Sequence, residues 1–114
     1  IILKHSKKIK DKNINYEKLF KELSEKVAEN SFCNIEAIKC YLIKPDFSFI
    51  PARDFFIHID FLILSRDNKK LVKEKVDLIA SVMKGIFFKS YADEPKAFTI
   101  EVRYMEKENY FKEI

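Results

Sequence analysis

Two segments of the chain carry apolar residues at helical spacing, on a background of Glu and Lys. The first stripe consists of Tyr16, Leu19, Phe20, Leu23 and Val27, and the second of Val72, Val76, Ile79, Met83 and Ile86. Residues three or four apart lie on one face of a helix, so each stripe predicts an amphipathic helix. Asn15 can cap the first helix and Asn30 or Ser31 can end it, while Asp67 or Asn68 can cap the second.

Four other segments show the apolar runs or the apolar–polar alternation of strands. They are residues 1–3, 35–43, 55–64 and 98–104. Within 55–64 every odd-numbered residue is apolar, and the even-numbered residues include His58 and Asp60. A further piece at 47–53 has Pro45 and Pro51 at its borders, which restricts it to a short extended segment at a sheet edge.

The predicted order is strand, helix, strand, repeated once after the edge piece. We expect a single domain over residues 1–114, with βαβ halves at about 1–44 and 54–105. Right-handed crossovers would place both helices on one face of a four-stranded mixed sheet, which is an α+β fold. The face without helices carries Phe56, Leu62 and Leu64 beside His58 and Asp60, too much apolar surface to be left in water. A closed ring of identical subunits would bury this face.

Composition adds limits on function. The 114 residues suffice for one core, and a net charge of +4 with one Lys cluster, Lys7, Lys8, Lys10 and Lys12, suits an anionic small molecule or a solvated face. A nucleic-acid binder is a distant alternative, because the aromatic residues fall on core positions and not among exposed Lys and Arg. No nucleic-acid partner is expected.

Cysteine use and hydropathy point away from a metal site and a membrane. Cys33 and Cys40 form no CxxC pair and have no third ligand beside them, so neither a metal site nor a disulfide framework is expected. The longest apolar run, 55–64, is too short to cross a bilayer as a helix. These features favour a cytoplasmic protein.

The chain has two histidines. His58 shares a strand face with Asp60, and we interpret it first as a hydrogen-bond partner of that carboxylate at a subunit contact, with catalysis as the second alternative. His5, with Lys4 and Lys7 nearby, is expected to be exposed.

Several segments together resemble a known superfamily. Residues 56–63, Phe-Ile-His-Ile-Asp-Phe-Leu-Ile, form an aromatic, aliphatic, His, aliphatic, small polar, aliphatic progression before a turn and a long helix. Ser6 after the first strand, Leu19-Phe20, Ala37-Ile38-Lys39 and Phe98-Thr99-Ile100-Glu101-Val102 add to it. The chain resembles the tautomerase superfamily, which includes macrophage migration inhibitory factor, and within it the 5-carboxymethyl-2-hydroxymuconate isomerase family.

The resemblance implies a homotrimeric isomerase that moves a proton on a small anionic unsaturated oxo-acid, as in bacterial catabolism of aromatic compounds, and uses no cofactor. The family's general base is an N-terminal proline, which would lie two residues before Ile1. Substrate-binding positions would be Ile1, Ile2, Lys39 and Tyr41, with Lys39 also assisting catalysis.

Two of these positions depart from the family pattern. Lys39 lies where the family has an Arg, and Tyr41 lies where close relatives have a second Arg. Lys supplies charge without the bidentate fork of Arg, so the substrate can differ. Two alternatives stay open: Lys39 can be a solvated strand residue, and the chain can be a non-catalytic trimeric binding protein.

Overall fold

The described part of the chain forms four strands and two long helices. The structure is a computed structural model that describes residues 1–6, 14–51, 55–64, 68–87, 96–111 and 113. The elements are β1 (Ile2–His5), α1 (Tyr16–Ala28), β2 (Tyr41–Ile43), β3 (Phe55–Leu64), α2 (Lys69–Val82) and β4 (Lys96–Met105). Short 3₁₀ turns lie after α1, at Glu29–Ser31 and Ile35–Ala37, and after β4, at Lys107–Asn109. A π turn at Met83–Phe87 follows α2. Neither α-helix is long and apolar enough to cross a membrane.

Asparagine side chains begin both helices. The Asn15 side chain accepts a hydrogen bond from the backbone N–H of Lys18, and Asn68 accepts one from the N–H of Leu71. Each cap satisfies a donor that the first helical turn leaves free. Of the two caps predicted for α2, Asn68 is therefore used, and Asp67 lies outside the described residues, as does the Lys cluster at 7–12.

The four strands form one mixed sheet in the order β2-β1-β3-β4. Strand β1 runs parallel to β2 and antiparallel to β3, while β3 and β4 are parallel. In this register Ile2 lies beside both Tyr41 and Asp60. The predicted α+β fold with two βαβ units in a four-stranded mixed sheet is confirmed.

The core lies between the sheet and the two helices. The odd-numbered residues of β3 point into it, as the alternation predicted, and the fully buried side chains of the core include Leu3, Leu19, Leu23, Ile57, Ile59 and Ile79. The opposite parity of β3 lies on the face that the helices leave open. There Phe56, His58, Leu62 and Leu64 are half-buried, and Asp60 is buried. We call this surface the open face.

The predicted strand at 35–43 is wrong over its first part. Residues Ile35–Ala37 form a 3₁₀ turn, and only Tyr41–Ile43 pair as strand β2. The cause is local, because the Asn34 side chain accepts from the N–H of Glu36 and so turns the backbone. The edge piece predicted at 47–53 also pairs with no strand over its described part, 47–51.

The expectation that His5 is exposed is wrong. His5 shares the inward parity of Leu3 and is fully buried. Its Nδ1 lies 2.9 Å from the carbonyl oxygen of Ser6, and its Nε2 lies 2.6 Å from the hydroxyl of Tyr16. Because a carbonyl can only accept, Nδ1 donates to Ser6.

Truncation of Ile59 to alanine tests the position of the core. Ile59 is fully buried in β3, so Ile59→Ala should lower the free energy of unfolding by about 2–5 kcal/mol. Ile35→Ala, at a residue that is 47% exposed, is the control and should cost well under half as much. Urea denaturation at one protein concentration measures both, and equal losses would contradict this arrangement of the core.

Candidate active site

A cleft of about 300 Å³ opens at the end of the sheet where β1 begins. Strand β3 ends there, because it runs antiparallel to β1, and β4 ends there as well. The lining comes from the start of the chain, the segment after α1, the ends of β3 and β4 and the last turn: Ile1, Val27, Phe32, Cys33, Asn34, Ala37, Ile38, Lys39, Phe61, Leu62, Ile63, Leu64, Met105 and Tyr110. The volume is at the lower end for small-molecule sites.

Ile1 and Lys39 meet at this cleft. The nitrogen of Ile1 donates to the carbonyl oxygen of Lys39 over 2.7 Å, and the N–H of Tyr41 donates to the carbonyl of Ile1 over 3.1 Å. These bonds continue the parallel pairing of β1 with β2 by one residue beyond Ile2. The start of β1 is thereby fixed beside Lys39.

The start of β1 is poorly solvated. Ile1 is 9% exposed. Desolvation disfavours the charged form of an amine. An amine at this end of the sheet therefore holds its proton less tightly than one in water.

The four predicted substrate-binding residues separate into two pairs. Ile1 and Lys39 are among the described residues that line the cleft, and the Lys39 side chain is exposed at its rim. Ile2 and Tyr41 lie opposite each other on the open face, Ile2 half-buried and Tyr41 48% exposed, and neither lines the cleft.

Asp60 is the centre of a polar cluster on the open face. Its Oδ2 accepts from Lys4 Nζ at 2.7 Å, and its Oδ1 lies 2.9 Å from His58 Nε2 and 3.5 Å from an Arg103 nitrogen. His58 Nδ1 lies 2.6 Å from the Thr99 hydroxyl. Since an ionised carboxylate only accepts, His58 Nε2 donates to Asp60. His58 thus pairs with Asp60 within one chain, and its predicted place at a subunit contact stays a prediction.

Sequence reasoning missed Lys4, Thr99 and Arg103 as partners in this cluster. The alternation in β4 placed Thr99 and Arg103 on its polar face, but their partners depend on the strand register, in which His58 pairs with Thr99 and Lys4. The side chains of His58, Asp60 and Glu101 also place possible metal-ligand atoms within 4.8 Å of one another. Both Asp60 oxygens already contact cationic side chains, which compete with any metal ion.

Comparison with solved structures identifies the fold. The chain has the fold of the tautomerases. It is similar to a 5-carboxymethyl-2-hydroxymuconate isomerase from Deinococcus radiodurans R1, with a TM-score of 0.82 and 14% identity over 98% of this chain and 86% of that one.

Two further structures share this fold. A 5-carboxymethyl-2-hydroxymuconate delta-isomerase gives a TM-score of 0.83 at 8% identity, over 99% of this chain and 85% of that one. A fused 4-OT that forms a symmetric trimer gives 0.65 at 12% identity, over 96% and 92%. No sequence-family profile and no curated protein sequence matches the chain.

Asp60 should make stability depend on acid pH. Burial alone would raise the pKa of Asp60, but hydrogen bonds from Lys4 and His58 outweigh it and hold the pKa below its ordinary value. The carboxylate therefore stabilises the fold fully above the unfolded value near pH 4, and this contribution is lost as the pH falls through the lower folded value.

The matched variants are Asp60→Asn and Asp77→Asn, since Asp77 pairs with Lys73 on the exposed face of α2. At pH 7 Asp60→Asn should cost about 1.5–3 kcal/mol and Asp77→Asn about 0.5 kcal/mol or less. Denaturation between pH 7 and pH 2 should show a shallower loss of stability in Asp60→Asn than in the parent chain. Parallel curves would exclude Asp60 as the titrating group.

Proposed function

We propose that this chain is a subunit of a homotrimeric, cofactor-independent tautomerase that moves a proton on a small unsaturated 2-hydroxy or 2-oxo carboxylic acid. The observation that carries the proposal is the cleft at the start of β1, where the buried Ile1 meets Lys39. The solved structures with this fold include isomerases, which supports the same reaction type.

The proposed general base is the secondary amine of a proline two residues before Ile1. Ile1 is buried at this end of the sheet, and burial of the proline amine beside it would lower the pKa of that amine, so that it can accept a proton near neutral pH. The amine takes the proton from the enol hydroxyl, the conjugated electrons shift, and the proton returns to the terminal carbon of the conjugated system. No electrons leave or enter overall.

Lys39 and the apolar wall complete the proposed site. The Lys39 ammonium at the rim can bind a substrate carboxylate by a charge-assisted hydrogen bond. Leu62 and Leu64 come from β3, and Met105 from β4, to form an aliphatic wall. A wall of this kind excludes water, which strengthens the attraction between Lys39 and the bound anion.

The proposed trimer would bury the open face. Apart from the polar cluster, the open face carries Phe56, Leu62 and Leu64, and Tyr41 and Ile43 on β2 are 48% and 42% exposed. Apolar surface of this kind favours association of identical subunits in a closed ring. The trimeric state of the fused 4-OT that shares the fold supports this assembly.

Substitution of Lys39 tests its proposed role. Lys39→Ala should lower kcat/KM for ketonization of phenylenolpyruvate by about 10- to 100-fold in the full-length protein, mainly through KM, because one charge-assisted hydrogen bond to the carboxylate is lost. Lys39→Arg should keep most of the activity. Lys21→Ala, at an exposed position on α1, is the matched control and should change kcat/KM less than twofold.

Two results would count against this role. Equal activity of Lys39→Ala and the control would leave Lys39 as a solvated residue before β2. A parent protein that binds unsaturated oxo-acids but shows no ketonization would favour the alternative of a trimeric binding protein. The presence of Lys39 and Tyr41 where the family has Arg supports that alternative.

Sedimentation tests the trimer separately from activity. At micromolar concentration the mass should be close to three times the 13.6 kDa of one chain. Phe56→Asp places a charge on the open face and should shift the mass toward one chain, whereas Lys70→Asp on the exposed side of α2 should not. A parent protein that sediments as a single chain would refute the trimer.

A further inference from the structure

Lys75 is a buried lysine on α2 that faces the end of α1. It is 2% exposed, and its Nζ donates to the carbonyl oxygen of Glu29 at 2.8 Å and to that of Lys26 at 3.3 Å. The same nitrogen lies 5.3 Å from the centre of the Phe32 ring. Within the described part of the chain no acidic side chain forms a salt bridge with Lys75, so backbone carbonyls and an aromatic ring are its partners.

These carbonyls belong to a helix end that needs donors. The last carbonyls of an α-helix have no partner within the helix, and they form the negative end of its dipole. The N–H of Glu29 binds the Lys26 carbonyl, and the N–H of Phe32 reaches the Glu29 carbonyl over a long 3.4 Å. Lys75 adds a cationic donor to both carbonyls.

The turn that Lys75 binds has an unfavourable backbone. Asn30 and Ser31 both have positive φ, 59° and 58°. Side-chain-bearing residues disfavour this left-handed region, and two in succession need support from the surroundings. The bonds from Lys75 to the Lys26 and Glu29 carbonyls, which directly precede this turn, supply that support.

The same turn leads directly into a wall of the cleft. Phe32, Cys33 and Asn34 line the cleft, and the chain continues through Ala37 and Ile38 to Lys39. The Asn34 side chain holds the intervening 3₁₀ turn by accepting from the N–H of Glu36. A shift at residues 29–32 would therefore move the segment that carries Lys39.

We infer that Lys75 is a positioning residue for the cleft: its ammonium, bound to the Lys26 and Glu29 carbonyls and set against Phe32, fixes the segment 29–39 and thereby the position of Lys39. It does not touch the substrate. The kinetic consequence rests on the proposed function, whereas the effect on the shape of the cleft does not.

The decisive variant is Lys75→Met, which keeps the apolar stem and removes the donors. Lys70→Met, at an exposed position of the same helix, is the control. Hydrogen exchange followed by mass spectrometry should show at least about tenfold faster exchange in residues 29–34 of Lys75→Met, with β3 unchanged, because opening of this turn becomes easier. Exchange in Lys75→Met equal to that in the control would overturn the inference.

Kinetics distinguish positioning from a general loss of stability. Lys75→Met should raise KM for phenylenolpyruvate about three- to tenfold and change kcat less than twofold, since the group displaced binds the carboxylate. Lys75→Arg, which retains cationic donors, should restore part of the exchange protection and of KM. A loss confined to kcat, or Met and Arg variants that behave alike in KM and in exchange, would contradict positioning.

The two proposals can fail separately. A parent protein without isomerase activity would remove the proposed function, while the exchange comparison would still decide the role of Lys75. If circular dichroism shows that Lys75→Met does not fold, Lys75→Gln replaces it, because the neutral amide still donates to one carbonyl. Hydrogen exchange at residues 29–34 should then be faster in Lys75→Gln than in Lys70→Gln. Equal exchange rates in these two variants would overturn the inference.

Discussion

The position of the cleft depends on the pairing of β1 on both of its sides. Strand β1 has only four residues, yet it hydrogen-bonds in parallel to β2 and antiparallel to β3. The parallel partner places Lys39 next to the nitrogen of Ile1, and the antiparallel partner brings the end of β3 to the same place. One short strand thus gathers the buried Ile1, Lys39 and an aliphatic wall.

The two faces of the sheet have different surroundings. One parity of β1 and β3 packs against the helices, and together they form the hydrophobic core that stabilises the fold. The other parity carries apolar side chains around Asp60, whose charge is balanced by Lys4 and whose Oδ1 accepts a hydrogen bond from His58. A buried carboxylate is tolerated when it is paired and hydrogen-bonded in this way.

Sequence periodicity was sufficient to predict the helices, β3 and the sheet architecture, because each of these elements buries one regular stripe or one parity of its side chains. It failed where a side chain overrides the pattern, as when Asn34 turns residues 35–37 into a 3₁₀ helix inside an apparently alternating segment. His5 was also predicted to be exposed, because its neighbours are Lys. It shares the parity of Leu3, however, and this parity points into the core.

The candidate site was less accessible to prediction than the fold. The cluster around Asp60 requires the register between three strands, which single-strand patterns do not contain, and the role of Lys75 requires the packing of α2 against the end of α1. The resemblance to the tautomerases pointed to the start of β1 and to Lys39, but it did not separate Ile2 and Tyr41 on the open face from the residues that line the cleft.

Proton transfer from the start of β1 is the central claim, and it requires a particular amine there. Mass spectrometry of the intact mature full-length protein, with fragmentation of its first residues, identifies that amine directly. The account predicts an N-terminal proline two residues before Ile1. Any other mature first residue would remove the proposed base and contradict the account.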